Sequence, residues 1–284
     1  MQKTILIIGA NGMFGLDAAE IFAAENYQVI KVTRTDFDIT NLGEVEEFFD
    51  TKLNGKKIDF AINTAAYTKV DEAQNNFYLA FAVNAQGAKN IAIATAKKNI
   101  PLFYISTDYV FDGTKNKLYE VADALNPTGV YGASKAQGEE NTRQNNAAHY
   151  IVRTSWLYGQ YGKNFVDTML KIAQSQKVIK VVNDQFGCPT WTHDLAYGIK
   201  ALIEKNAEFG TYQICGSGVT SWFEFAKKIF EIAKIDVEVI PVTTDEFPRP
   251  CKRPQFSAMN NDSLCAPWQE SLEKYLTKRL RTGS

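Results

Sequence analysis

The sequence predicts a doubly wound parallel α/β fold, Rossmann-like, with a smaller C-terminal substrate-binding lobe. Three observations predict it. Short strands that are apolar throughout alternate with helix-length segments over the first half of the chain. A glycine-spaced turn, Gly9-Ala10-Asn11-Gly12-Met13-Phe14-Gly15, follows the first strand directly. Prolines then break up the second half. Strands apolar on both faces belong to a parallel sheet covered by helices on each side, and right-handed crossovers wind such a chain doubly. A chain of 284 residues has room for one large domain with a smaller lobe.

The elements follow in order. Residues 4–8, Thr-Ile-Leu-Ile-Ile, form the first strand, and a helix over 14–26 leaves the glycine turn. A strand over 28–33 and a helix over 42–53 come next, then a strand over 58–62 and one long helix over 77–99. A strand over 102–106, a helix over 134–145 and a strand over 150–153 complete the alternation. These strands are short and mostly apolar, which suits buried sheet positions. Further on, Pro189, Pro248, Pro250, Pro254 and Pro267 shorten the segments. Helices are expected over 165–174, 193–204, 222–234 and 269–280. Ser221-Trp222-Phe223-Glu224 has the spacing of a capping box and sets one of these starts. The boundary between a cofactor-binding part, 1–158, and a mainly substrate-binding part, 159–284, falls near Gly159 to Gly162. Some later segments, such as 178–182, are expected to return to the first sheet. The terminal Arg281-Thr282-Gly283-Ser284 is expected to fray.

Composition excludes several classes. A formal net charge of -1 offers no basic face, so nucleic acid is not an expected partner. No apolar run nears the roughly 20 residues of a membrane span. The first strand begins at Thr4, which leaves no room for a signal peptide; the expectation is a soluble, cytoplasmic protein. Cys188, Cys215, Cys251 and Cys265 lie far apart without metal-ligand spacing and read as free thiols. With His149 and His193 as the two histidines, no metal site is expected.

Gly9, Gly12 and Gly15 open the first helix in a Gly-x-x-Gly-x-x-Gly pattern. Glycines allow the tight turn, the approach of a pyrophosphate to the main chain and close helix–strand packing. The helix N-terminus adds unpaired N–H groups and partial positive charge. The bland reading is a tight β–α turn; the strand before it and the helix after it favour a dinucleotide. Arg34, at the end of the second strand, favours the 2′-phosphate of NADPH, although Asp36 nearby and a merely solvated arginine stand against that. Asn63-Thr64-Ala65-Ala66-Tyr67-Thr68 follows the third strand, and its small residues let a cofactor cross the sheet edge.

Tyr131 and Lys135 lie four apart and share a helix face. A free phenol titrates near pH 10, and a neighbouring ammonium stabilises the phenolate and lowers that value. The pair suits proton transfer to a ketone oxygen, which a hydroxyl from Ser106 or Thr107 would orient. Each element has a chance reading alone. Together they point to a nicotinamide-dependent carbonyl reductase.

Several stretches carry a closer resemblance. Asn63 to Asp71, Ser106-Thr107-Asp108-Tyr109-Val110-Phe111, Tyr131-Gly132-Ala133-Ser134-Lys135, Arg153-Thr154-Ser155-Trp156 and Asn183 to Thr190 resemble the extended short-chain dehydrogenase/reductase family. Within it they are most similar to the branch that works on dTDP-4-dehydro-L-rhamnose, over nearly the whole chain. The resemblance implies NADPH, with NADH as the other cofactor, reducing the 4-keto group of that nucleotide sugar. It implies Tyr131 as proton donor, Lys135 as its partner and Thr107 as the polarising hydroxyl. Around the cofactor it implies Gly9, Asn11, Gly12, Met13, Phe14 and Gly15 at the pyrophosphate, and Thr33, Arg34, Asp38 and Ile39 at the adenosine. Ala65, Ala66, Tyr67 and Thr68 come further in, with Tyr131 and Lys135. Asp108 and Trp156 would meet the sugar, Arg253 the diphosphate, and Asn84 would order the tyrosine through water. Some members are described with a magnesium-linked dimer. Here Asp17 and His193 fall at the corresponding places, and histidine is a poor magnesium ligand, so a metal-bridged dimer is not expected, while a homodimer stays open.

Two other readings remain. One is a non-catalytic, NADP-binding regulatory subunit, a role known for a relative of the family; an intact Thr107, Tyr131 and Lys135 set argues against it. The other is a reductase or epimerase on another nucleotide sugar, or a dehydratase. A dehydratase needs adjacent carboxylates beside the threonine, and Thr107-Asp108-Tyr109 supplies one acid.

Overall fold

The computed structural model describes residues 2–261 and 264–281. β1 (Thr4–Ile8) leads into α1 (Met13–Ala24), β2 (Gln28–Val32) into α2 (Leu42–Thr51), and β3 (Phe60–Asn63) into two short helices, α3 (Val70–Ala73) and α4 (Phe77–Phe81). A π-helical stretch, Ala82–Gly87, joins α4 to α5 (Ala88–Lys97). β4 (Leu102–Thr107) ends in a 3-10 turn, Asp108–Val110, and α6 (Val130–Asn145) precedes β5 (His149–Thr154). Then come β6 (Leu157–Tyr158), α7 (Phe165–Ile172), β7 (Val178–Val182), β8 (Phe186–Gly187), β9 (Thr190–Trp191) and α8 (Thr192–Glu204). β10 (Gly210–Gln213), β11 (Thr220–Ser221), α9 (Trp222–Ala233), β12 (Glu238–Val242) and α10 (Trp268–Arg281) complete the chain. Of the end expected to fray, 282–284 lies outside the described residues. No helix among the described residues is long and apolar enough to cross a membrane.

Six strands form one parallel sheet in the order β10-β5-β4-β3-β1-β2. β1 pairs with β2 on one side and β3 on the other, so the winding reverses there, as the sequence predicts for a doubly wound sheet. Ligand crevices open at the carboxyl ends of the strands at such a reversal. β1 also shows why the strands are apolar on both faces. Ile5 and Ile7 pack with Ala18 and Phe22 of α1 and Leu195 and Ile199 of α8. Leu6 and Ile8 pack on the other face with Val45 and Phe49 of α2 and Ile91 of α5. Each such burial contributes about 1.5–3 kcal/mol relative to exposure.

A second core gathers Val166 and Met169 of α7, Ile179 and Val181 of β7, Phe225 and Ile229 of α9, and Leu272 and Tyr275 of α10. Here the structure corrects the sequence reading of 178–182. β7 pairs with β12 in its own two-stranded sheet, and the strand that returns to the first sheet is β10, beside β5. β7 buries Ile179 and Val181 and exposes Val178 and Lys180, the alternation of a sheet with one wet face.

The long helix expected over 77–99 is also interrupted. The π-helical turn inserts a residue into the ladder, and Asn84 within it is held from several sides. Its carbonyl accepts from the Tyr104 hydroxyl at 3.1 Å. Its side chain accepts from the Tyr67 N–H at 2.7 Å and donates to the Tyr67 carbonyl at 3.1 Å and to Ser134 Oγ at 2.9 Å. α6 starts at Val130, ahead of the expected 134, so Tyr131 lies in its first turn.

A buried charge cluster fastens β4, β5 and α6 together. Arg153 of β5 donates to Glu139 of α6 from Nε at 3.0 Å and from Nη2 at 2.8 Å. Ser106 of β4 donates to the same carboxylate at 2.6 Å. Arg153 Nη1 donates to the Val121 carbonyl at 3.1 Å, which pins the loop between β4 and α6. Glu139 is 0 % exposed and Arg153 3 %, so removing one partner leaves an uncompensated buried charge. Glu139→Ala should therefore lower the unfolding free energy in urea by about 3–5 kcal/mol, and adding Arg153→Met should recover part of the loss. A single-variant loss below about 1 kcal/mol would show that the cluster does not fasten these elements.

Candidate active site

Thr107 ends β4, and its side chain caps the 3-10 turn that follows, accepting from the Tyr109 N–H at 3.3 Å and donating to Asp108 Oδ1 at 3.0 Å. α6 begins hard against this turn. A methyl group on Gly132 would lie 2.1 Å from the Tyr109 carbonyl oxygen, so only glycine permits the approach. The Val130 N–H donates to Gln74 Oε1 at 2.8 Å and anchors the helix start. Tyr131 is thereby set edge-on to Tyr109, with centroids 5.7 Å apart, and its phenol hydrogen-bonds with Thr107. Thr107, Asp108, Tyr131 and Lys135 thus meet at the carboxyl end of β4.

Burial governs their electrostatics. It pushes the Tyr131 phenol up to about 12, against the Thr107 hydrogen bond. It pulls Lys135 down to about 7, while Glu139, one helical turn further on, works to keep the ammonium charged. Lys135 Nζ donates to the Ile105 carbonyl at 2.6 Å and lies 4.1 Å from the centre of the Tyr104 ring. The lysine is therefore turned toward β4, and the lowering of the tyrosine expected from it is not seen: Thr107 alone works in that direction, while burial and Asp108 raise the phenol. Asp108, 1 % exposed, is raised to about 6 by burial, against hydrogen bonds from Ser257 at 2.5 Å and from Thr107.

The glycine turn is built as the sequence predicts. Gly9 has φ +80°, and a methyl there would meet the Ala65 nitrogen at 2.6 Å; one on Gly15 would meet the Gly9 carbonyl oxygen at 2.4 Å. Gly12 precedes the first residue of α1, Met13, and the first turn of the helix carries no acidic residue, which suits an anion. Asn11 and Gly12 are exposed there and Met13 partly so, whereas the Phe14 side chain is in the core, leaving its main chain to line the turn. Past β2, the Thr33 N–H donates to Asp36 at 2.8 Å, and Arg34, 82 % exposed, pairs with Asp38 at 3.3 Å. Asp38 also accepts from Thr40, which holds its pKa down. Ile39 packs on Gly87, and its carbonyl accepts from Asn90 at 2.8 Å. Ala65, Ala66, Tyr67 and Thr68 follow β3 beside the turn, with Thr68 exposed. These groups fit a dinucleotide.

Trp156 lies just past β5, whose Thr154 is in register with Thr107. Its φ is +46°, a strain on the order of 1–3 kcal/mol for a bulky residue. Arg253 donates to Asp71 at 2.8 Å and to the Cys251 carbonyl at 3.0 Å. Asp17 accepts from Thr192 and Gln160, and the His193 ring stacks on Trp191 with centroids 4.2 Å apart. Sequence reasoning missed Glu139, although its spacing from Lys135 on the same helix could have shown it. It also missed Asp71, whose pairing with Arg253 joins residues far apart in the chain. A phenol, a hydroxyl and an ammonium gathered at the sheet edge that also carries the glycine turn can polarise a carbonyl oxygen and protonate it.

Comparison with known proteins agrees. The family model described as RmlD substrate binding domain matches residues 2–280. The spore coat polysaccharide biosynthesis protein SpsK of Bacillus subtilis strain 168 is 35 % identical over 281 residues, 97 % of each chain. The crystal structure of a dTDP-4-dehydrorhamnose reductase from Clostridium acetobutylicum superposes with a TM-score of 0.93 at 40 % identity, over 98 % of this chain and 99 % of that one. The Bacillus anthracis dTDP-4-dehydrorhamnose reductase in complex with NADP gives a TM-score of 0.93 at 39 % identity, over 98 % of this chain and 100 % of that one.

Asp108 makes a pH prediction. Its folded pKa lies above its ordinary 3.8, at about 6, so its contribution is fully present below pH 3.8 and is lost as pH rises through about 6. At about 1.4 kcal/mol per decade of proton affinity, the whole change is about 3 kcal/mol. Unfolding free energy measured between these pH values should fall less steeply in Asp108→Asn than in the wild type. Parallel curves would show that Asp108 is not held protonated by burial.

Proposed function

The chain belongs to the RmlD substrate binding domain family, and from that premise we propose that it reduces the 4-keto group of dTDP-4-dehydro-L-rhamnose to dTDP-L-rhamnose with NADPH. The observation that carries this reading is the meeting of Thr107, Tyr131 and Lys135 at the end of β4, on the same carboxyl edge of the parallel sheet as the β1–α1 glycine turn. The names of the Clostridium and Bacillus anthracis relatives support the substrate, and the NADP complex of the latter supports the cofactor.

Gly9 to Gly15, the loop after β2 and the stretch Ala65 to Thr68 hold the dinucleotide, and the reduced nicotinamide supplies a hydride when bound. The rest is the work of side chains. Thr107 hydrogen-bonds the ketone oxygen and orients it. Tyr131, whose phenol keeps its proton at neutral pH, passes that proton to the oxygen as charge builds there. Lys135 balances the phenolate left behind, with Glu139 favouring its charged form. Asp108 and Trp156 border the sugar, and Arg253, steadied by Asp71, faces the diphosphate. Residues 1–158 mainly bind cofactor and 159–284 mainly bind substrate, in a cytoplasmic homodimer without a bridging metal. A purely regulatory subunit would have no use for the proton-transfer cluster.

The test is substrate-dependent loss of reduced-nicotinamide absorbance with dTDP-4-dehydro-L-rhamnose, run with NADPH and NADH in parallel. Tyr131→Phe should lower kcat by roughly a hundredfold to ten-thousandfold and leave NADPH binding near its wild-type strength; substantial residual turnover would remove Tyr131 from its role. Arg34→Ala should raise KM for NADPH by about three- to tenfold and leave KM for NADH in place. An equal rise for both cofactors would mean that Arg34 does not read the 2′-phosphate.

A further inference from the structure

The indole of Trp222 lies flat on that of Trp156, with 3.5 Å between ring centroids and 6° between planes. The two residues come from distant parts of the chain. Trp156 follows β5, and Trp222 is the first residue of α9. Trp222 is itself held from behind. Phe165 of α7 packs on it at 4.6 Å, and Ser221 before it caps α9, accepting from the Glu224 N–H at 3.1 Å and donating to Asn183 at 2.6 Å.

Gly187 is the second constraint on Trp156. A methyl there would fall 2.5 to 2.7 Å from Cε2, Cζ2 and Nε1 of the indole. Gly187 sits on β8, opposite Thr220 of β11, so both residues that confine Trp156 belong to one small sheet and the helix it leads into. The third feature is the backbone of Trp156, left-handed at φ +46°. Folding alone gives no reason for a bulky aromatic there, since glycine or asparagine takes that conformation with less strain. Strained residues over-determined by their surroundings cluster at ligand clamps. This one lies two positions beyond Thr154, the register partner of Thr107, and so at the same sheet edge as the catalytic cluster.

We propose that Trp222 is a positioning residue for the nucleotide-sugar site: by stacking on Trp156 it holds that indole rigid as the apolar wall on which the sugar is seated. The inference rests on the reductase reading above. A wall fixed in advance spares the ordering of a large side chain on binding. It touches ground state and transition state alike, so its effect falls on KM rather than kcat.

Steady-state kinetics with dTDP-4-dehydro-L-rhamnose test it. Trp222→Leu removes the stack and should raise KM for the sugar nucleotide by about three- to tenfold, with kcat within about twofold and KM for NADPH unchanged. Trp222→Phe keeps a stacking ring and should lie close to wild type. Gly187→Ala displaces Trp156 while leaving Trp222 in place and should raise the same KM. An unchanged KM in Trp222→Leu, or a Trp222→Phe no better than Trp222→Leu, would overturn the proposal. Should Trp222→Leu fail to fold, Gly187→Ala decides: a wild-type KM there overturns it equally. A wild-type protein silent with this substrate would instead sink the reductase reading itself, and the inference with it.

Discussion

The buried carboxylate of Glu139 is the point on which the arrangement turns. It receives Arg153 from β5 and Ser106 from β4 while sitting on α6. Each of these residues is next to, or a few positions from, a residue of the site: Ser106 before Thr107, Glu139 a turn after Lys135, Arg153 just ahead of Trp156. A pair this deep gives little net stability, because desolvation offsets most of its attraction. What it supplies is register. Sliding α6 along β4 by one turn would leave a charge unpaired in the core, so the helix bearing Tyr131 and Lys135 has one place to sit.

The same burial sets the charge state of the site. Tyr131 is pushed up to about 12, Asp108 up to about 6, and Lys135 down to about 7, burial being the largest influence on all three. Each shift disfavours the charged form. A site this poor in water resists charge of its own and rewards a ligand that brings complementary charge or hydrogen bonds. Glu139 opposes the trend at Lys135 alone. The charged form of Lys135 is thus favoured by the residue that fastens the fold, which joins packing and electrostatics in a single carboxylate.

Much of this was legible in the sequence. β1 announces itself by five consecutive apolar or β-branched residues, the glycine turn by its spacing, and the Tyr131–Lys135 pair by a shared helix face. What escaped was set by contacts between distant segments. The π-helical turn at Asn84 keeps a helical apolar rhythm, so periodicity alone gives no sign of it; its anchors, Tyr67, Tyr104 and Ser134, lie on three other segments. The early start of α6 follows Gly129 and takes in Gly132, a poor helix former, and is imposed by the close packing of Gly132 on Tyr109. β10, Gly-Thr-Tyr-Gln, carries a weaker apolar signal than β7, Val-Ile-Lys-Val-Val, yet it is β10 that completes the large sheet. Edge position and neighbouring helices decide such matters more than propensity does.

The late stretch from Cys251 to Ser257 shows why the candidate site is not the property of the first half of the chain. Cys251 fills the space that a side chain on Gly129 would need, directly before α6. Its N–H and the Arg253 guanidinium both reach Asp71, at 3.3 and 2.8 Å. The Phe256 N–H donates to the Gly113 carbonyl at 3.1 Å, and the Ser257 hydroxyl to Asp108 at 2.5 Å. A segment distant in sequence therefore closes over the start of α6, the turn after β4 and the loop beyond it. A shift of that segment would be felt at Asp108 and at the first turn of α6 together. The placement of this late segment and of the first turn of α6 is thus one mechanical event, because the same few contacts serve both.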